Sequence, residues 1–208
     1  MEQLLVPSLC TIERIIQETP DIRTYRLKFK EESRIESFSW FPGQFVEFSL
    51  LGSGECTFCI ASSATRKGYF DCSVKRAGVV TADIHTDLDE GDMVGIRGPY
   101  GNWFPLEELK GKHLLFVGGG IGLAPLRSLI QYAIDHRGDY GDFTILYGAR
   151  TSADLCYKEE IDEWKDNKSL KMILTIDKPE ETWKENVGVV PKILEEVVKP
   201  KVESTKVI

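Results

Sequence analysis

Hydrophobic and polar positions alternate along the first half of the chain. Tyr25, Leu27 and Phe29 alternate with Arg26 and Lys28, Val46, Phe48 and Leu50 with Glu47 and Ser49, and Phe70, Cys72 and Val74 with Asp71 and Ser73. A period of two buries one face of a strand and leaves the other to water. Turn-forming groups stand between these runs: Pro42-Gly43, Gly52-Ser53-Gly54, Lys67-Gly68 and Glu90-Gly91-Asp92. Short strands at this spacing predict a small antiparallel barrel or sandwich, interrupted by one short helix starting around Thr81.

Near residue 110 the period changes. Residues 113–117 form a continuous apolar run, the pattern of a strand covered on both faces. A glycine cluster follows, then a helix with Leu126, Leu129, Ile130, Ala133 and Ile134 on one side. Next come a strand at 143–147, a helix carrying Leu155, Ile161 and Trp164, a strand at 172–176, and a helix opened by Pro191 and carrying Ile193, Leu194 and Val197. Strand alternating with helix predicts a parallel sheet with right-handed crossovers. The boundary falls at residues 107–111, which divides the chain into an antiparallel β domain, 1–108, and an α/β domain, 109–208.

The strongest local signal is the run from Val117 through Gly118, Gly119, Gly120, Ile121 and Gly122 to Pro125, between a buried strand and a helix. A glycine turn there lets a phosphate reach the backbone, where free N–H groups and the helix dipole favour negative charge. No Lys-Ser/Thr follows, so it is not a nucleoside-triphosphate loop, and Pro125 takes the last position of the usual GxGxxG. In an open parallel sheet ligands bind beyond the carboxyl ends of the strands. Those ends hold Gly118–Gly120, Gly148-Ala149-Arg150 and Asp177. Together with the βαβαβ pattern, the loop points to a dinucleotide. Arg150 is either a planar fork for an adenosine phosphate or hydroxyl, or a solvated surface arginine. A second anion-ready helix start lies in the β domain, where Ser73-Val74-Lys75 leads through Gly78, Val79 and Val80 to Thr81. The plainer reading of that start is an ordinary capped helix, and His85 within it reads as a surface or packed histidine rather than a ligand.

Charge and cysteines narrow the classes. The 208 residues hold 26 Lys+Arg against 33 Asp+Glu, a net charge of −7. That balance argues against nucleic-acid or anionic-membrane binding, which needs a basic face. No apolar run approaches the ~20 residues of a membrane span. The N-terminus, with Glu2, lacks the basic and apolar regions of a signal peptide, so the expected address is the cytoplasm. Five dispersed cysteines suit reduced thiols. Cys56 and Cys59 have the spacing of a metal half-site without a second pair, and read as part of a strand; no metal site is expected.

Taken in order, the motifs resemble the ferredoxin–NADP reductase superfamily, nearest to hydrogenase (sulfhydrogenase) gamma subunits and anaerobic sulfite reductase B subunits. They are Phe41-Pro42-Gly43-Gln44-Phe45, the stretch from Phe58 to Ser63, Val74 to Thr81, Arg97 to Phe104, Gly119 to Arg127, and Tyr147-Gly148-Ala149-Arg150-Thr151. The resemblance implies an FAD-binding antiparallel β-barrel followed by an α/β nicotinamide-binding domain. It implies FAD at Phe58, Cys59, Ile60, Ser62, Ser73, Val74, Lys75, Gly78, Val79, Val80 and Thr81. It implies NAD(P)H at Gly119, Gly120, Ile121, Gly122, Gly148, Ala149, Arg150 and Asp177. Two departures stand out. The family's flavin motif, Arg-x-Tyr-Ser, is here Cys56-Thr57-Phe58-Cys59, so the arginine is replaced and a flavin-tuning thiol, Cys59, takes the place of the serine. The chain also stops at Lys206-Val207-Ile208, where a further strand should begin; a Cys-Gly-Pro motif and a [2Fe–2S] segment follow in the family, so the α/β domain reads as incomplete at its C-terminus. The implied function is an FAD-dependent oxidoreductase subunit passing electrons between NAD(P)H and an iron–sulfur partner in a hetero-oligomeric complex, with [2Fe–2S] in a longer chain or in that partner. The alternatives are a non-catalytic structural or adaptor subunit and, more distantly, a self-contained oxygenase reductase.

Overall fold

The structure, a computed structural model, describes residues 6–197 and 205–208; Glu2 and the side chain of Val197 lie outside them. The elements run β1 (Ser8–Thr19), β2 (Ile22–Phe29), α1 (Glu32–Ser37), β3 (Phe45–Leu50), β4 (Gly54–Cys59), β5 (Phe70–Lys75), α2 (Val79–Asp87), β6 (Met93–Tyr100) and α3 (Leu106–Leu109). There follow β7 (His113–Gly119), α4 (Leu123–Asp135), β8 (Phe143–Ala149), α5 (Lys158–Asp166), β9 (Leu170–Ile176), β10 (Asn186–Val187), α6 (Val190–Val197) and β11 (Thr205–Val207).

The first six strands form one antiparallel sheet in the order β4-β3-β6-β1-β2-β5. A bridge between Ile60 and Cys72 links the chain after β4 to β5, the other end of that order, and curls the sheet into a barrel. Its inside is the apolar set of the alternating strands: Tyr25, Leu27, Val46, Phe48, Phe70, Cys72, Val74 and Ile96 are almost fully buried. Cys56 and Cys59 lie on β4, as strand residues.

The second sheet is parallel, ordered β10-β9-β8-β7-β11. Its apolar strands are covered on both faces. Leu114, Phe116 and Tyr147 pack with residues of α4 and α5 on one side, and Leu115, Leu146 and Ile173 with Ile193 of α6 on the other. β11 pairs with β7 at Thr205–Val207, where the resemblance implied that a strand begins.

Three local expectations are corrected. The β-domain helix begins at Val79 rather than near Thr81, because Thr81 Oγ1 turns back to accept the N–H groups of Gly78 (2.8 Å) and Ala77 (2.9 Å) and so closes the first turn from inside it. Leu155 is not helical: a short 3₁₀ turn at Ser152–Asp154 and a left-handed Tyr157 (φ 57°) precede α5. The polar face of β5 is not wetted. Asp71 and Ser73 are buried because the α/β domain lies over them.

Candidate functional site

The seam between the two domains is built of charge and hydroxyl groups. Arg127, one turn into α4, is 4% exposed and points at the outer, polar face of β5. Its Nη1 donates to the Ala61 carbonyl (3.0 Å) and to Asp71 Oδ2 (3.1 Å), and its Nε to Glu160 Oε1 (2.8 Å). Burial opposes this charge, but the carboxylates of Glu160 and Asp71 outweigh it and raise the guanidinium's pKa. Arg26 holds the other Asp71 oxygen at 2.9 Å. Nearby, Ser128 Oγ donates to the Ser62 carbonyl (2.8 Å), and the Ser63 N–H donates to Gln131 Oε1 (2.9 Å). Just before α5, the Tyr157 N–H donates to Glu18 Oε2 (2.6 Å), while its hydroxyl meets Ser73 Oγ at 2.5 Å. Burial pushes the Glu18 carboxyl upward, partly offset by Tyr157 and Thr24. The two domains are thereby held in one relative position.

Beside this seam, at the carboxyl ends of β7, β8 and β9, opens a cleft of about 430 Å³. Gly119, Gly120, Ile121, Gly148, Ala149, Arg150 and Asp177 line it, all of them picked out in the sequence. The barrel contributes Asp21, Ile22 and Lys75, so the cleft has walls from both domains. A Cβ built on Gly120 would meet nothing within 4 Å and one on Gly119 only the Gly148 carbonyl at 3.9 Å, so backbone lies open to a ligand there. Gly148 is glycine for a different reason: a Cβ would clash with Val190 Cγ2 and crowd Thr175 Cγ2. Gly122 stands just before α4, at its N-cap. Arg150 is braced by Asp154 at 3.0 Å. Partial burial works to raise the Asp154 pKa, but Thr151 and Arg150 hold it low.

The flavin-side residues divide into two groups. β4 stands at one end of the barrel sheet's order and α2 packs beside it, so Phe58, Cys59 and the Gly78–Thr81 helix start share one region. Phe58 is partly buried, its ring edge-on to Phe48 at 5.7 Å. Cys59 is half-buried, and burial raises its thiol pKa, which keeps the S–H on. Val79 is exposed, Val80 packs on the barrel core, and Gly78 has open space where a Cβ would be. These features fit a phosphate-bearing aromatic cofactor: an aromatic face, a helix N-terminus and a bare glycine. The other group is turned away. Ile60 and Val74 fill the barrel core, Ser62 Oγ is taken by the Asp71 N–H (2.9 Å), and Ser73 is locked in the seam. Lys75, expected at the flavin, lines the cleft, 3.5 Å from Asp21.

Asp21, Ile22, Asp154, Val189 and Val190 line the cleft without having been picked out in the sequence. Of the seam residues only Ser62 and Ser73 had been picked out, for a flavin role, although Arg127 and Ser128 carried a signal: polar residues set among Leu126, Leu129 and Ile130 of an apolar helix face.

Residues 9–104 match the oxidoreductase FAD-binding domain and residues 116–208 the oxidoreductase NAD-binding domain. Over 153 residues the chain is 39% identical to the sulfhydrogenase 1 subunit gamma of Pyrococcus furiosus, covering 74% of this chain and 52% of the relative. Over 158 residues it is 35% identical to a probable dihydroorotate dehydrogenase B (NAD(+)), electron transfer subunit, of Methanocaldococcus jannaschii, covering 76% and 53%. Among solved structures, the cytochrome P450 reductase GcoB of Amycolatopsis superposes with a TM-score of 0.80 at 23% identity, over 96% of this chain and 60% of that one. The chain spans about half the length of the curated relatives it matches.

Proposed function

The chain belongs to the ferredoxin reductase family of oxidoreductases, with an FAD-binding domain joined to a NAD-binding domain, and from that premise we propose that it is the flavin-bearing electron-transfer subunit of a cytoplasmic hydrogenase- or sulfite-reductase-type complex. The observation that carries this reading is the cleft with walls from both domains, in which the glycine loop and the strand ends of the parallel sheet face Lys75 of the barrel. FAD, when bound, would supply the redox chemistry, hydride acceptance from NAD(P)H and single-electron release to an iron–sulfur acceptor in a partner subunit or in a longer chain.

The chain's own residues position and shield. Phe58 offers a ring face on β4, and the first turn of α2 offers backbone N–H groups to a diphosphate. With Cys56 in place of the family's arginine, the backbone N–H groups of that helix start and Lys75 or Arg76, on the turn leading to it, offset the missing charge. In the cleft, Gly119 and Gly120 let a pyrophosphate reach the backbone, and Arg150 braced on Asp154 presents a fixed fork to the adenosine side. The seam around Arg127 holds the two regions at a constant separation, as reaction between two bound groups requires.

Purified protein with oxidised-flavin absorbance at about 450 nm, or protein that gains it on adding FAD, supports this reading. A protein that takes up no FAD favours the second reading, an adaptor subunit that keeps the reductase fold, for which the loss of the arginine at Cys56 is the specific observation.

A further inference from the structure

One fully buried hydroxyl is aimed at the glycine loop from beneath. Tyr147, near the end of β8, is completely inaccessible, and its Oη lies 3.0 Å from the Gly120 carbonyl and 3.0 Å from the Cys156 nitrogen. The backbone N–H of Cys156 can only donate, so the single phenolic proton must go to Gly120. Burial raises the Tyr147 pKa, which keeps that proton in place. The Leu123 N–H also donates to the same carbonyl. Gly120 stands at φ 53°, a conformation that glycine adopts without strain.

The consequence follows from peptide planarity. In a trans peptide the C=O and the following N–H point in opposite directions. With the Gly120 carbonyl drawn inward, the Ile121 N–H of the same peptide is turned outward, and Ile121 lines the cleft. We infer that Tyr147 is a positioning residue: its hydroxyl locks the Gly120–Ile121 peptide so that the Ile121 N–H faces the pyrophosphate of a nicotinamide dinucleotide. This rests on the reading of the cleft as a dinucleotide site. A purely structural tyrosine, present only to satisfy Cys156, would affect stability and leave affinity alone.

ADP-ribose, which carries the pyrophosphate without the nicotinamide, separates these roles. Calorimetric titration of the full chain, well below its unfolding temperature, should show Tyr147→Phe binding ADP-ribose at least tenfold more weakly than wild type, about 1.4 kcal/mol, with FAD retention unchanged. Equal affinities within twofold, with wild type binding, would overturn the role of Tyr147 and leave the cleft reading intact. No binding by wild type would overturn both. Should Tyr147→Phe fail to fold, 3-fluorotyrosine placed at position 147 alone provides a second readout. Its fluorine resonance should move and saturate with added ADP-ribose; a resonance that stays fixed while ADP-ribose binds would overturn the proposal.

Discussion

Arg127 Nη1 lies 3.1 Å from Asp71 Oδ2, which joins the first long helix of the α/β domain to a strand of the barrel through a fully buried carboxylate. Asp71 also holds Arg26, and Arg127 also holds Glu160, so two guanidinium groups depend on one aspartate. Removing one partner of a buried pair strands the other's charge and costs about 3–5 kcal/mol. Asp71→Ala should therefore lower the unfolding free energy by about that amount in urea titrations. A loss below about 1 kcal/mol would mean that the seam is not electrostatically held.

The seam also has a pH signature. The Glu18 carboxyl is raised in the folded state, so folding favours its neutral form. Its contribution is fully present below the unfolded carboxyl pKa and is lost as pH rises through the higher folded value. Glu18→Gln, which is neutral throughout, should lose no such contribution. The melting temperature of wild type minus that of Glu18→Gln should fall as pH climbs from about 4 toward neutrality. A difference that stays constant across that window would contradict the assignment.

How much of this was legible in the sequence depends on what covers each strand. The alternation at Tyr25–Phe29 and Val46–Leu50 was readable because each strand has one face inside the barrel. β1 was not, because register shifts between Ile12 and Arg14 and between Gln17 and Thr19 break the period of two. Asp71 and Ser73 looked like a wet face for the same reason that they are not one: a polar strand face can be buried when another domain supplies its partners. The glycine loop stood out because four glycines, one of them at φ 53°, stand between an apolar strand and a helix. Asp21 and Lys75 reach the cleft only through the way the domains dock, which no local pattern encodes.

Phe58 offers the aromatic surface on β4. Phe58→Ala should weaken FAD binding by about 1 kcal/mol, roughly fivefold, in fluorescence titrations with the barrel still folded. Unchanged retention would move the flavin elsewhere.

Arg150 is held by Asp154, and the cleft also carries Asp21 and Asp177. A 2′-phosphate would add charge among these carboxylates. Arg150→Ala should weaken NADH and NADPH binding to a similar degree, and wild type should prefer NADH. Selective loss of NADPH binding in Arg150→Ala would show instead that the arginine reads the 2′-phosphate.

Cys59 keeps its proton and is half-buried on β4. A thiol is a weaker donor than a hydroxyl, so Cys59→Ser should shift the reduction potential of bound flavin without unfolding the barrel. Identical potentials would reduce Cys59 to a packing residue.

In the proposed function two cofactors meet across the cleft, one held by each domain. Gly119→Val tests it well, because Gly119 has an ordinary strand conformation (φ −135°) and open space in front of it, whereas a side chain at Gly120 would be strained by its positive φ. The measurement is the visible difference spectrum of the FAD-loaded protein during titration with NAD⁺. The expected result is a saturable one-to-one perturbation of the flavin bands in wild type, absent in Gly119→Val although FAD is fully retained. A protein that holds FAD but shows no saturable response to NAD⁺, or one whose response survives in Gly119→Val, would contradict it.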